Sequence, residues 1–166
     1  MPATDQPRAA ILTISSSRSD GGEEGDESGD RLAAYAAAIG VEVTVRDLLP
    51  DDRELIAERL RRLCDEEGCA LVLTSGGTGL APDDVTPEAT LAVADREAAG
   101  IAEAMRLASR EHTPHWMLSR NVAAVRGRTL IVNFPGSPKA IAEAGEAIAA
   151  ALPHALRLLR GDADRH

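Results

Sequence analysis

The 166-residue chain is 44% hydrophobic and 27% charged, enough to pack the core of one ordinary domain and too apolar for wholesale disorder. Its 18 Lys and Arg against 27 Asp and Glu leave a formal net charge of −9, and its aromatics are Tyr35, Trp116 and Phe134. Neither the clustered cations nor the stacking platform of a nucleic-acid binder is there, so no nucleic acid partner is expected. No apolar run approaches the roughly 20 residues of a membrane span, so no membrane partner is expected either. The opening Met1–Ala10 lacks a basic start and an apolar h-region, which predicts a cytoplasmic protein. Cys64 and Cys69 are too few for a disulfide framework and read as reduced, mostly buried thiols.

In chain order, Ala9–Ile14 is a short continuous apolar run, as expected of a strand buried on both faces. Ser15–Gly29 is polar, acidic and Gly-rich, and reads as a loop. Leu32, Tyr35, Ala36 and Ile39 then recur at helical spacing, with Gly40 as the residue that ends the helix. Val41–Asp47 alternates apolar and polar residues, which predicts a strand nearer the sheet edge. Ile56, Leu60 and Leu63 mark a second helix, for which Asp51 followed by Glu54 is a capping-box-like start. Cys69–Thr74 is a third strand, and Gly76–Pro87 a second irregular loop. Thr86 with Pro87 reads as an N-cap and first helical residue, and Ile101, Met105 and Ala108 mark the next helix. Thr129–Phe134 is a fourth strand. The apolar positions from Ile141 to Leu159 then form a helix that Pro153 should kink or restart.

Strands alternating with helices predict an α/β fold: a three-layer αβα arrangement with a mostly parallel sheet, forming a single domain over residues 1–166 with an ordered core over about 8–161. The first eight residues and Asp162–His166 read as loose tails. In such sheets ligands bind beyond the carboxyl ends of the strands, where the two irregular loops lie.

The second loop carries most of the chemistry. After Thr74 and Ser75 come Gly76, Gly77, Thr78 and Gly79, whose glycines permit positive φ and let successive N–H groups turn inward as an anion-binding nest, with Ser75 and Thr78 hydroxyls as further donors. No Gly-Lys-Ser/Thr follows, so this is not a Walker A loop. Asp83 and Asp84 come next, and carboxylates beside a phosphate loop are compatible only if a cation such as Mg²⁺ sits between. An acidic turn without function accounts for the same pair, just as N-capping accounts for Asp51. In Asn133–Lys139, Gly136 belongs to a turn and Ser137 can cap a helix whose N-terminus attracts anions. His112, His115, His154 and His166 form no metal-ligand or nucleophile set by spacing.

Four ordered blocks, LTSGGTGLAPDDVTPEAT (73–90), ADREAAGI (94–101), MLSR (117–120) and NFPGSPKA (133–140), together resemble the MogA/MoaB family of molybdenum-cofactor biosynthesis proteins, over nearly the whole chain. The resemblance implies a molybdopterin-binding fold, homo-oligomers (trimers or hexamers) and contact with other enzymes of the same cofactor. It further implies Mg-ATP-dependent adenylylation of molybdopterin with pyrophosphate release. Carried over by position, the acidic residues that such chemistry uses, as catalytic groups and Mg²⁺ ligands, fall on Asp51 and Asp84. Nucleotide and substrate contacts fall on Ser16, Ser75, Gly76–Gly79, Ser119, Asn133 and the PGSP turn with Gly136 and Ser137. Two positions depart from the family pattern: Ser16 stands where many relatives have Asp, and Asp83 where they commonly have Arg. A second reading therefore stands beside the enzyme, a MoaB-type subunit that binds molybdopterin as a scaffold without activating ATP. The competence-damage family shares the fold but would require further chain. Small apolar faces such as Ala147–Leu152 suit self-association.

Overall fold

A computed structural model describes residues 5–19 and 25–162. Strand β1 (Arg8–Ile14) is buried at every position after Arg8 because it lies inside the sheet, paired in parallel with β2 (Glu42–Leu49) on one side and with β3 (Leu71–Ser75) on the other. β3 pairs in parallel with β6 (Thr129–Phe134), against which β5 (Ala123–Arg126) and then β4 (Arg96–Glu97) run antiparallel. The sheet order is β2-β1-β3-β6-β5-β4. The alternating strand is indeed at an edge, and its residues alternate in exposure as its pattern predicts.

Successive residues of the inner strands face opposite layers. Ile11, Leu73 and Val132 pack with Leu32 and Ala36 of α2 (Glu27–Ala38), Met105 of α5 (Ala99–Ser109), Ile141 and Ile148 of α6 (Pro138–Ile148), and Leu156 of α7 (Leu152–Arg160). Leu12, Val72 and Ile131 pack instead with Ile56, Leu60 and Leu63 of α3 (Arg53–Asp65) and with Ala89 and Val93 of α4 (Thr86–Val93). This is the three-layer αβα arrangement. Tyr35 stands edge-on to Phe134 with ring centroids 5.6 Å apart. Its hydroxyl donates to Gly145 O at 2.8 Å, and burial raises its pKa.

Several local expectations are corrected. Part of the polar loop is helical: Ser16–Ser19 forms the short α1, and α2 starts at Glu27 behind the cap Asp26, while residues 20–24 lie outside the described residues. The cap of α3 is Asp52, not Asp51, with Leu55 N–H donating to Asp52 Oδ1 at 3.0 Å. Thr86 does not cap α4 but is its first helical residue, following Val85. Pro153 restarts the C-terminal helical pattern as expected, giving two helices with this proline in the first turn of the second. Strands β4 and β5 are additions to the expected set. Asp5–Arg8 and Asp162, placed by sequence in loose tails, make defined contacts: Pro7 O accepts from Glu42 N, Arg160 donates to Asp5 O, and Asp162 N donates to Arg157 O. Met1–Thr4 and Ala163–His166 lie outside the described residues. Both thiols are free, Cys69 buried and Cys64 half-buried, and burial pushes Cys64 up to about 11.

Candidate functional site

The chain leaves β1 for β2 on one side and enters β3 on the other, so the connections diverge at the carboxyl ends of β1 and β3, where open α/β sheets form a crevice. A cleft of about 260 Å³ lies there, lined by the hydroxyls of Thr13, Ser15, Ser17, Ser28 and Ser75 with the backbone of Gly76 and Gly136. The loops after β1, β3 and β6 meet in it. Ser75 Oγ donates to Pro135 O at 3.2 Å, Ser28 Oγ to Gly136 O at 2.7 Å, and Gly76 N to Phe134 O at 3.2 Å.

The turn out of β3 is built from glycine for steric reasons. Gly76 and Gly77 have φ of 96° and 67°, a region costly for residues with a Cβ. A Cβ on Gly76 would collide with Ile14 O, and one on Gly77 would collide with Thr86 Oγ1 and sit 3.2 Å from Asp51 Oδ1. The peptide groups are sorted by direction. The carbonyls of Gly77, Thr78 and Gly79 accept from Thr86 N at 3.1 Å, Arg120 N at 2.8 Å and Arg120 Nε at 2.7 Å. The N–H groups of Gly77, Thr78, Gly79 and Leu80 have no hydrogen-bond partner among the described residues. Four consecutive unspent donors beside tied carbonyls leave this bend with N–H groups available to an anion.

Both acidic candidates abut this bend. Asp51 follows edge strand β2, whose pairing with β1 sets it beside the loop after β1. Its Oδ2 accepts from the N–H and the hydroxyl of Ser16, each at 3.0 Å, while its own N–H donates to Ser16 Oγ. Asp84 closes its own loop by accepting from Ala81 N at 3.0 Å, and its Oδ2 lies 2.8 Å from where a Cβ on Gly79 would be. On each carboxylate Oδ1 has no hydrogen-bond partner among the described residues. Thr86, 0% exposed, holds a hydroxyl without a partner against Gly77. Asp83 is exposed.

The other sequence candidates lie elsewhere. Asn133 is 0% exposed between β3 and α4. Its amide nitrogen donates to Thr74 and Thr90 hydroxyls, and its oxygen accepts from Val122 N, so the amide is spent inside the core. Ser137 Oγ caps α6 by accepting from Ala140 N at 3.1 Å. Ser119 lines a separate cleft of about 130 Å³ with Trp116, His115 and Pro135, and donates to Asn121 Oδ1 at 3.2 Å. Pro135 thus borders this cleft while Gly136 borders the hydroxyl-lined one. Sequence reasoning missed Arg120, whose partners are 41 and 36 positions away. Among the described residues no helix is long and apolar enough to cross a membrane, and no group of three His, Cys, Asp or Glu gathers as a metal cage.

Comparison with known proteins agrees with this architecture. Residues 10–154 match the family described as a probable molybdopterin binding domain. A molybdopterin adenylyltransferase of Haemophilus influenzae is 47% identical over 126 residues, which are 69% of this chain and 64% of that protein. The chain therefore spans less than two thirds of that relative's length. The molybdopterin adenylyltransferase of Escherichia coli K12 is 39% identical, with 93% of this chain and 86% of that protein covered. The crystal structure of the molybdopterin biosynthesis enzyme MoaB of Thermus thermophilus superposes with a TM-score of 0.86 at 49% identity, over 93% of this chain and 96% of that one. With the expected layers, the switch-point cleft and this likeness in hand, the chain belongs to the MogA/MoaB-type molybdopterin-binding-domain family.

Proposed function

We propose that the chain acts in molybdenum-cofactor biosynthesis as a molybdopterin adenylyltransferase. In that reaction the terminal phosphate oxygen of molybdopterin attacks the α-phosphorus of ATP. The bond from that phosphorus to the bridging oxygen breaks, and pyrophosphate leaves with the electron pair. Such a transfer needs in-line positioning and charge stabilisation more than a protein nucleophile. The observation that carries the reading is the bend itself: unspent amides of Gly77–Leu80 on one side, with Asp51 against Gly77 and Asp84 against Gly79. The amides would donate to phosphate oxygens as charge develops on them. The Ser15–Ser17 hydroxyl pair, whose mutual hydrogen bond spends one of its two hydrogens, offers a further donor at the mouth of β1 and β3.

Asp51 and Asp84 fit a magnesium ion through their unbonded Oδ1 atoms, since this ion takes hard oxygen ligands from one or two carboxylates and completes its shell with substrate phosphates. When bound, it supplies charge neutralisation on the triphosphate. We further propose a cytoplasmic homo-oligomer, for which exposed Leu80, Met117 and Leu118 near the bend offer apolar surface. Light scattering of the purified chain tests that part.

Binding without transfer is the second reading, favoured by Ser16 and Asp83 at positions where relatives have Asp and Arg. Incubation with ATP, Mg²⁺ and molybdopterin separates the two. Stoichiometric pyrophosphate release with formation of adenylyl-molybdopterin is the expected result; saturable molybdopterin binding with no release overturns the enzyme in favour of the scaffold.

A further inference from the structure

We infer that Arg120 is a positioning residue that sets the direction of the glycine-bend amides, a role that rests on the adenylyl-transfer reading. Its guanidinium is a planar fork: Nε donates to Gly79 O at 2.7 Å, Nη2 to Asp84 O at 2.7 Å, and Nη1 pairs with Glu88 Oε1. Its own backbone N–H donates to Thr78 O at 2.8 Å. One residue therefore holds three carbonyls of the loop that carries both the nest and Asp84.

The consequence follows from peptide planarity. In a trans peptide the N–H points opposite to the C=O of the preceding residue. Holding Thr78 O and Gly79 O toward Arg120 turns the N–H groups of Gly79 and Leu80 away from it. These two donors have no partner among the described residues. The rigid fork also fixes the separation of Gly79 O and Asp84 O, and with it the seat of the Asp84 carboxylate against Gly79. Arg120 does not act on a ligand through its charge, because Glu88 pairs with it from the first turn of α4. Nor does it hold the loop alone: Gly76 N donates to Phe134 O and Thr86 N to Gly77 O without it. The bend therefore stays folded when the Arg120 side chain is removed, with Thr78 O still held by the backbone N–H at position 120. What loses its aim is the Gly79 carbonyl, with the Leu80 N–H of the same peptide, and the Asp84 carbonyl.

Arg120→Lys and Arg120→Ala test this. Lysine keeps the charge but is a point donor that cannot span both carbonyls in one plane. Loss of an aimed donor set reduces turnover by about 10²-fold, so both variants should lower kcat for pyrophosphate release by roughly that factor. KM for molybdopterin should hold within about threefold, because the lost stabilisation belongs to the transition state. Millimolar guanidinium chloride should restore part of the Arg120→Ala rate and none of the Asp84→Asn rate, a rescue that a merely structural role would not produce. Wild-type kcat in Arg120→Lys, or absence of rescue in Arg120→Ala, overturns the inference. If the wild-type chain itself releases no pyrophosphate, the enzymatic reading fails separately. Arg120 is then judged by equilibrium binding of α,β-methylene-ATP, which should weaken about tenfold in Arg120→Lys if donor aim matters, and unchanged binding overturns it.

Discussion

Ser16 and Asp51, 35 positions apart, are bonded reciprocally: Ser16 N–H and Oγ–H both donate to Asp51 Oδ2 at 3.0 Å, and Asp51 N–H donates to Ser16 Oγ at the same distance. The hydroxyl adds a second donor to the backbone N–H that holds Oδ2, and the pair leaves the other carboxylate oxygen toward Gly77. A hydrogen bond to a charged group contributes about 1.5–3 kcal/mol. Ser16→Ala should therefore lower kcat/KM for pyrophosphate release by about tenfold or more, with the thermal unfolding midpoint lowered by several degrees. Ser16→Asp should do worse than Ser16→Ala, because it sets a like charge against Asp51 where a donor had been. Steady-state kinetics of the two variants give the order directly. An aspartate variant more active than wild type would show that the relatives' carboxylate acts here independently of Asp51.

Asp84 separates charge from geometry. Asparagine in its place keeps an oxygen to accept from Ala81 N–H, the bond that closes the loop at 3.0 Å, and removes only the negative charge. Asp84→Asn should fold with a native unfolding midpoint and lose at least about 100-fold in turnover, the scale at which electrostatic stabilisers act in transfer reactions. Titrating Mg²⁺ against wild type and variant is the decisive measurement. Retained turnover with the same Mg²⁺ dependence would remove Asp84 from the metal-binding role.

The layers, the edge position of β2 and the two strand-end loops were legible in sequence because burial on both faces leaves unbroken apolar runs, while an edge leaves alternation. Strand β5 was not legible: Ala123-Ala124-Val125-Arg126 is short and rich in alanine, with no apolar run or clear alternation, although it pairs with β6 across the short turn at Gly127 and Arg128. With two adjacent aspartates, the capping spacing cannot say which one caps. Asp51 with Glu54 satisfied it on paper, whereas Asp52 took Leu55 N–H and left Asp51 to Ser16. Asn133 shows the limit from the other side. A polar residue in an apolar strand signals a specific bond, but its partners, Thr74 and Thr90, are within the core and 59 and 43 positions away. Arg120 left no local signal at all, because a side chain's reach across 41 residues is set by the fold.

Two glycines with similar backbone conformation distinguish steric demand from conformational demand. Gly77 has φ of 67° and is hemmed by Thr86 and Asp51, whereas Gly127, φ 56°, in the β5–β6 turn, has nothing within 4 Å of its missing Cβ. Alanine at Gly127 should cost only the left-handed penalty of about 1–2 kcal/mol and leave activity intact. Alanine at Gly77 adds a collision with a buried hydroxyl, so it should destabilise by more than Gly127→Ala and abolish pyrophosphate release. Chemical denaturation of both variants, with the assay run on each, checks the contrast. Equal stability losses would mean that the packing around Gly77 yields easily.

The Glu88–Arg120 pair predicts how stability responds to acid. Burial raises the Glu88 carboxyl, but the hydrogen bond and charge of Arg120 outweigh it and leave the group below its ordinary value of 4.5. A folded-state value below the unfolded one means that the unfolded chain takes up the proton first as pH falls. The stabilisation is therefore fully present above the ordinary range and is lost as pH falls through the depressed value. Glu88→Gln cannot ionise and lacks the term at every pH. Urea midpoints should favour wild type over Glu88→Gln at pH about 7 by no more than about 1 kcal/mol, because the pair is partly solvent-screened. The gap should narrow as pH falls below about 4.5, the ordinary carboxyl value, and close only once the pH lies below the depressed one. A gap that widened on acidification would mean that Glu88 is stabilised in its protonated form, and that its charge does not hold the guanidinium that holds the bend.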